Sequence, residues 1–345
     1  MRIAWNSFGG RFSDNPRALY EALPEHDAVW LADPRHAAEF PAGVELVAPA
    51  DARAALESAD LVVSNTHLEL AWDKRGRYLQ TWHGTPLKRI HADVLWAPEG
   101  RLADLDRDVA RWDALLSPNA YSTPLLQGAF RFTGELAETG YPRNDVLLAP
   151  DRDARRARVR ADLGIAEGQQ VVLYAPTWRD DRFYATGGQD TGHSLDLDAL
   201  TAALPEAVVL LRLHYLVAGR LGDLGPQLRD VSDHPQVSDL YLAADVLVTD
   251  YSSVFFDFAV TGKPIAFLVP DLDDYRDRLR GFYVDLAEIA PGPLLASTGA
   301  LVDVLRDPTA LPPYEAFRTT FCALEDGGAT ARVLQRFVPE LMGAP

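Results

Sequence analysis

The chain has 345 residues, 48% of them hydrophobic, and its 33 Lys and Arg against 50 Asp and Glu give a formal net charge of −17. That length suits two domains of roughly 150 residues each, and the acidic balance opposes nonspecific binding to nucleic acid or to an anionic lipid surface. The single cysteine, Cys322, excludes an intrachain disulfide and a cysteine-based zinc site, and it fits a reducing cytoplasm. No apolar run approaches the roughly 20 residues of a membrane span, and the first residues lack a signal-peptide pattern.

Short apolar, β-branched runs recur at residues 3–5, 28–31, 61–64, 78–81 and 114–117, and again at 171–175, 208–213, 246–249 and 265–269. Helix-like stretches separate them, so the pattern predicts parallel sheets covered on both faces, an α/β class. Ser13-Asp14-Asn15-Pro16 supplies cap residues and an early proline for a helix that runs to about residue 23. The charged stretch beginning at Asp151 reads as a helix, and a second strand series follows it, so the domain boundary falls near residue 150. Residues 186–193 carry no core pattern and read as a loop. Gly262-Lys263-Pro264 marks the end of a helix that starts at Ser252 or Ser253.

In open α/β sheets ligands bind beyond the carboxyl ends of the strands, so the turns after each strand carry the chemistry. Trp82-His83-Gly84-Thr85-Pro86-Leu87-Lys88 sets a histidine on a rigid turn, where it serves as a general base or as an ordinary hydrogen-bonded loop residue. Pro176-Thr177-Trp178-Arg179 offers a hydroxyl and amides for phosphate or ribose oxygens and a guanidinium for an anion, or else a surface loop with a packing tryptophan. Arg212 and His214 are two residues apart and point the same way if the strand is still extended, toward an anion or a carboxylate. In Asp250-Tyr251-Ser252-Ser253, Asp250 orients a side chain or holds the turn. The two serines bind phosphate or merely cap the helix, and Asp257 contacts a ribose hydroxyl or complements the helix dipole. Gly-x-Gly-x-x-Gly, a nucleoside-triphosphate loop, a Gly-x-Ser-x-Gly elbow and zinc-ligand spacing are all absent.

Taken in order, residues 6–20 (Asn-Ser-Phe-Gly-Gly-Arg…), 80–88 (Gln-Thr-Trp-His-Gly-Thr-Pro-Leu-Lys), 140–145 (Gly-Tyr-Pro-Arg-Asn-Asp), 173–179, 212–214, 245–257 and 325–332 (Glu-Asp-Gly-Gly-Ala-Thr-Ala-Arg) resemble the CDP-glycerol glycerophosphotransferase family, the teichoic acid primases and polymerases. The resemblance implies a GT-B architecture of two Rossmann-like domains facing across a cleft. An acceptor-side domain would occupy 1–150, a CDP-donor-binding domain 151–324, and a helix in 325–345 would cross back to the first domain. It implies transfer of glycerol phosphate from CDP-glycerol, or of another polyol phosphate from a related CDP-polyol, to the hydroxyl of a glycerol phosphate or lipid-linked polymer acceptor, with release of CMP. His83 matches the family's base and His214 its second essential histidine, with Arg212 beside it. The donor would be held by Pro176, Thr177, Arg179, Asp250, Ser252, Ser253 and Asp257, and the acceptor side would include Gly9, Gly10, Thr85 and Lys88.

No cofactor and no metal are expected, nor a nucleic-acid partner. The expected location is the cytoplasm, with peripheral contact at the inner face of the membrane left open. Larger family members carry a further N-terminal region and basic or amphipathic surfaces, whereas this chain begins at the first strand of the catalytic region and is strongly acidic. Single addition and polymerisation therefore both stay open, in teichoic acid or capsule synthesis. A nucleotide-sugar glycosyltransferase on the same fold and a non-catalytic scaffold of a wall-polymer complex are the competing readings.

Overall fold

A computed structural model of the chain describes residues 1–177, 194–213, 224–276 and 281–342. Arg179, His214 and the expected loop at 186–193 lie outside the described residues. The chain divides into two compact units, Met1–Val146 with Thr320–Pro345, and Leu147–Thr319.

In the first unit the strands are β1 (Arg2–Asn6), β2 (Asp27–Leu31), β3 (Glu45–Val47), β4 (Leu61–Ser64), β5 (Arg77–Gln80), β6 (Ala114–Ser117) and β7 (Glu135–Glu138). They form one parallel sheet in the order β3-β2-β1-β4-β5-β6-β7. Successive residues of a strand face opposite sides, and both sides are apolar here. Ala4, Val29, Val62, Tyr78 and Leu115 pack with Trp72, Trp112 and Phe130 on one face. Ile3, Trp5, Trp30, Val63, Leu79 and Leu116 pack with Leu19, Val333, Leu334 and Phe337 on the other.

Val333, Leu334 and Phe337 explain why the end of the chain belongs to this unit. They are the buried stripe of the helix Ala329–Phe337, and burying each contributes about 1.5–3 kcal/mol. The Asp145 carboxylate caps this helix, accepting from the amides of Ala329 at 3.0 Å and Thr330 at 2.7 Å. Tyr141 N–H donates to Glu325 at 3.0 Å, and Arg332 Nε to the Thr139 carbonyl at 3.0 Å. Two of the stretches that resemble the family, 140–145 and 325–332, are thus each other's partners.

The second unit holds β8 (Val171–Ala175), β9 (Val208–Leu211), β10 (Leu228–Asp230), β11 (Val246–Thr249), β12 (Ile265–Leu268) and β13 (Leu294–Leu295). They too are all parallel, in the order β10-β9-β8-β11-β12-β13. Every residue of β8, β9, β11 and β12 is buried, which is why these segments read as continuous apolar runs. Two Rossmann-like units in one chain are the components of the GT-B plan. In each sheet the strand order reverses once, between β1 and β4 and between β8 and β11, and such a reversal is where α/β folds place their ligands.

Four strands escape the apolar-run pattern. β3, β7, β10 and β13 are two to four residues long, and none is fully buried. β9 ends at Leu211 rather than at residue 213. Arg212 still donates its backbone N–H to the Tyr174 carbonyl at 2.9 Å, but the Leu213 N–H turns to the Ser232 hydroxyl at 3.0 Å. The helix after Ser253 is Val254–Phe258, a single α turn continued as the 3-10 turn Ala259–Thr261 and closed by Gly262 at φ 71°. No described helix is long and apolar enough to cross a membrane.

Candidate active-site elements of each unit

In the first unit the candidate residues gather at the ends of β1, β4 and β5. The chain leaves β5 through Trp82, which holds a left-handed φ of 53°, an unusual state for a bulky residue that needs support from its surroundings. That support comes from three directions. Gln80 Oε1 accepts the Trp82 N–H at 3.0 Å, Asn15 Nδ2 donates to the Trp82 carbonyl at 3.1 Å, and the Gly84 N–H donates to the Tyr141 hydroxyl at 3.2 Å.

His83 sits inside this clamp. Its Nδ1 lies 2.6 Å from the Asn65 carbonyl. A carbonyl only accepts, so Nδ1 carries the proton and Nε2 keeps its lone pair for another partner. Trp82 lies over the ring at 4.0 Å and 30°, and Phe8 meets it edge-on at 4.6 Å and 67°. Burial pushes the imidazole down to about 4, against the raising effects of the Asn65 carbonyl and the Asp14 carboxylate; Arg143 and His67 add to the lowering. The ring is therefore neutral at physiological pH and offers a proton acceptor.

Asp14 and Arg143 form a buried ion pair at 2.6 Å beside it. Asn15 ties that pair to the turn, since its Oδ1 accepts the Arg143 N–H at 3.1 Å while its Nδ2 holds Trp82. Of the expected acceptor-side residues, Thr85 is buried and Lys88 half-buried. Gly10 has a packing role. At φ 71°, a Cβ on it would lie 2.3 Å from the Asp33 nitrogen, whereas around Gly9 there is open space.

In the second unit they gather where β8 and β11 end side by side. Asp250, 4% exposed, accepts the Thr177 N–H at 2.7 Å and the Tyr251 N–H at 2.5 Å through one oxygen. The Thr249 hydroxyl donates to the Ala175 carbonyl at 2.7 Å. Asp250 thus holds the turn and joins it to the Pro176-Thr177 turn. The Tyr251 ring is fully buried, stacks on Tyr275 at 4.1 Å, and donates its hydroxyl to Asp271 at 2.9 Å. Ser252 and Ser253 follow, partly exposed, and Ser253 makes no side-chain cap bond although it occupies the N-cap. Asp257 is buried within the short helix. Arg212 Nη1 donates to the carbonyls of Val231, Ser232 and His234 at 2.8, 2.7 and 2.5 Å, so that nitrogen anchors the segment after β10.

The structure brings Gly9, Gly10, His83 and Thr85 to the ends of the first unit's strands, and Pro176, Thr177, Arg212, Asp250, Ser252 and Ser253 to the ends of the second's. The supports of these turns are harder to read from sequence. Asn15, Asn65, Tyr141, Arg143 and Tyr251 hold them in place; all but Asn65 lie inside the stretches that resemble the family, but nothing in those stretches shows what they support. Among the described residues no three His, Cys, Asp or Glu side chains gather into a metal site.

The family model for CDP-Glycerol:Poly(glycerophosphate) glycerophosphotransferase matches residues 1–338. A teichoic acid glycerol-phosphate transferase of Staphylococcus aureus (strain NCTC 8325 / PS 47) is 42% identical, over 96% of this chain and 92% of its own length. A teichoic acid poly(glycerol phosphate) polymerase of Bacillus spizizenii (strain ATCC 23059 / NRRL B-14472 / W23) is 38% identical, over 99% of this chain and 92% of its own. Among solved structures, the wall teichoic acid polymerase TagF superposes with a TM-score of 0.90 at 35% identity, over 99% of this chain and 89% of that one. A variant of it soaked with CDPG gives 0.88 at 34% identity, over 99% and 88% of the two chains.

Proposed function

The chain belongs to the CDP-glycerol:poly(glycerophosphate) glycerophosphotransferase family, and from that premise we propose that it transfers glycerol phosphate from CDP-glycerol to an acceptor hydroxyl, releasing CMP, in wall teichoic acid synthesis. The observation that carries this reading is the state of His83. Its Nδ1 is committed to the Asn65 carbonyl, its Nε2 is left as acceptor, and burial keeps the ring neutral. A neutral imidazole on a rigid turn suits general-base catalysis on a hydroxyl.

In the proposed reaction the acceptor oxygen forms a bond to the β-phosphorus of CDP-glycerol, the bond from that phosphorus to the CMP oxygen breaks, and the acceptor proton passes to His83 Nε2. The Asp14 carboxylate beside the ring favours the imidazolium that results. The second unit holds the donor. Pro176 and Thr177 on one turn, with Ser252 and Ser253 on the other, bind its phosphates, and Asp250 fixes the two turns relative to each other. Asp257 faces the nucleotide end. Arg212 shapes the β10 side of the site through the carbonyls it holds, and His214 and Arg179 complete the anion contacts. Preorganised donors of this kind contribute on the order of 3 kcal/mol each to lowering a barrier. Gly9, Thr85 and Lys88 line the acceptor side in this reading.

The test is CMP release from a panel of CDP-polyols, with and without a lipid-linked glycerol phosphate acceptor. CDP-glycerol should give acceptor-dependent CMP. Stabilisation and turnover by a nucleotide sugar instead would establish the glycosyltransferase reading, and no CMP from any CDP-polyol would leave the scaffold reading. Turnover is expected to persist in EDTA; loss in EDTA with recovery on adding Mg²⁺ would refute a metal-independent scheme. Peripheral membrane contact also belongs to this reading. Leu95 and Trp96 are 54% and 78% exposed, and replacing both by Ser should reduce co-sedimentation with vesicles that carry the acceptor.

A further inference from the structure

Phe8 is a large apolar side chain left 39% exposed at the end of β1, beside the reversal in strand order. A lone exposed phenylalanine needs no explanation in itself. The backbone that presents this one does. Phe8–Gly10 is a single 3-10 turn in which Gly9 and Gly10 both take positive φ, 57° and 71°. The Gly10 N–H bonds back to the Ser7 carbonyl at 3.0 Å, the Arg11 N–H to the Phe8 carbonyl at 3.1 Å, and the Asp33 N–H to the Gly10 carbonyl at 3.0 Å. Gly10 is wedged so closely against Asp33 that no side chain fits. Ser7, just before the ring, is fully buried, and its hydroxyl bonds Ser13 at 2.9 Å and receives Asn65 Nδ2 at 3.3 Å. The backbone that carries the phenyl ring is thus fixed on both sides, and the ring packs T-shaped against His83, with centroids 4.6 Å apart.

His83 is enclosed by Trp82 on one face, by the Asn65 carbonyl at Nδ1, and by Phe8. Of these three, Phe8 alone combines contact with His83 and substantial exposure. We propose that Phe8 is the water-excluding cover of His83, a positioning residue that lets an acceptor hydroxyl rather than bulk water meet the imidazole. This rests on the reading of His83 as the base. Bulk water is the competing nucleophile. Its attack on the β-phosphorus would release CMP and free glycerol phosphate, the water proton going to Nε2, and exclusion of water suppresses that side reaction.

The charged and titratable groups facing the ring are Asp14 at the start of the helix Asp14–Ala22, Arg143 after β7, and His67 after β4. None of them is Phe8's own neighbour in sequence, so removing the phenyl ring leaves each in place. What changes is the access of water to the imidazole, and with it the burial that is the largest influence on its titration.

The experiment follows the His83 imidazole by NMR in histidine-labelled full chain, the signal being identified by its loss in His83→Gln. Phe8→Ala should move the His83 midpoint upward, toward the ordinary histidine range, by about one unit. Phe8→Leu, which keeps an apolar cover, should move it less. In turnover, the ratio of CMP released without acceptor to CMP released with acceptor should rise roughly several-fold in Phe8→Ala and stay near wild type in Phe8→Leu. An unchanged His83 midpoint in Phe8→Ala that melts like wild type overturns the proposal, as does an unchanged ratio. Should the wild-type chain release no CMP from CDP-glycerol, the functional reading fails, while the titration still decides whether Phe8 keeps water from His83.

Discussion

The His83 turn of the first unit and the Asp250 turn of the second are placed alike and built differently. Both follow a central strand of a doubly wound parallel sheet, His83 after β5 and Asp250 after β11. The His83 turn is fixed from distant parts of its unit, by the Asn15 and Tyr141 side chains and the Asn65 backbone carbonyl. The Asp250 turn is fixed by one carboxylate oxygen shared between the amide of its own Tyr251 and that of Thr177, 73 positions away in sequence at the end of the neighbouring strand. A base needs its ring orientation and its water contact controlled, which takes packing from several directions. An anion site needs hydroxyls and amides aimed at one place, which a short hydrogen-bonded turn supplies. On the proposed function, the first arrangement sets chemistry and the second sets binding.

If that division holds, substitutions in the two turns should separate rate from affinity. The largest effect belongs to His83→Ala, expected to lower turnover by roughly 10²–10⁴ with CDP affinity by calorimetry unchanged. Near-normal turnover in a folded variant would remove His83 from its role, and a parallel loss of CDP binding would break the division itself.

Next comes Asp250→Ala. It strips two buried amides of their acceptor, at a cost of about 1–3 kcal/mol for each, so it should destabilise the second unit in urea unfolding as well as weaken CDP binding. The double change Ser252→Ala with Ser253→Ala has a smaller and cleaner expected outcome. Both serines are partly exposed and Ser253 caps nothing, so stability should hold while CDP affinity falls roughly tenfold or more, the usual worth of hydrogen bonds to a charged group. Unchanged affinity would place the phosphates elsewhere.

The central strands stand out in the sequence because burial on both faces makes them continuous apolar runs. β3, with Glu45 exposed, and β7, with Glu138 exposed, sit at sheet edges where that pressure is absent. Each turn could be named because its own residues are consecutive and directly follow a strand. Neither could be explained, since Asn15 is 68 positions from His83 and Thr177 is 73 from Asp250, and no local pattern links them. Arg143 and Glu325 stood inside stretches that resemble the family, yet only the fold shows that one closes the clamp on Asp14 and Asn15 while the other receives Tyr141 as the C-terminal helix packs back.

The smallest expected effect concerns pH and tests the packing of the first turn directly. His83 is held near 4 in the folded chain against about 6.5 when unfolded. Between those values the unfolded chain binds a proton that the folded one does not, so stability rises with pH across this window. The contribution is fully present above about 6.5 and lost as pH falls through about 4, on the order of 1–2 kcal/mol for a partly covered ring. His83→Gln cannot titrate. The drop in its melting temperature from pH 7 to pH 4.5 should therefore be a few °C smaller than in wild type. Identical drops would mean that His83 titrates as an ordinary loop histidine, and the difference between the two turns would then lie in geometry alone.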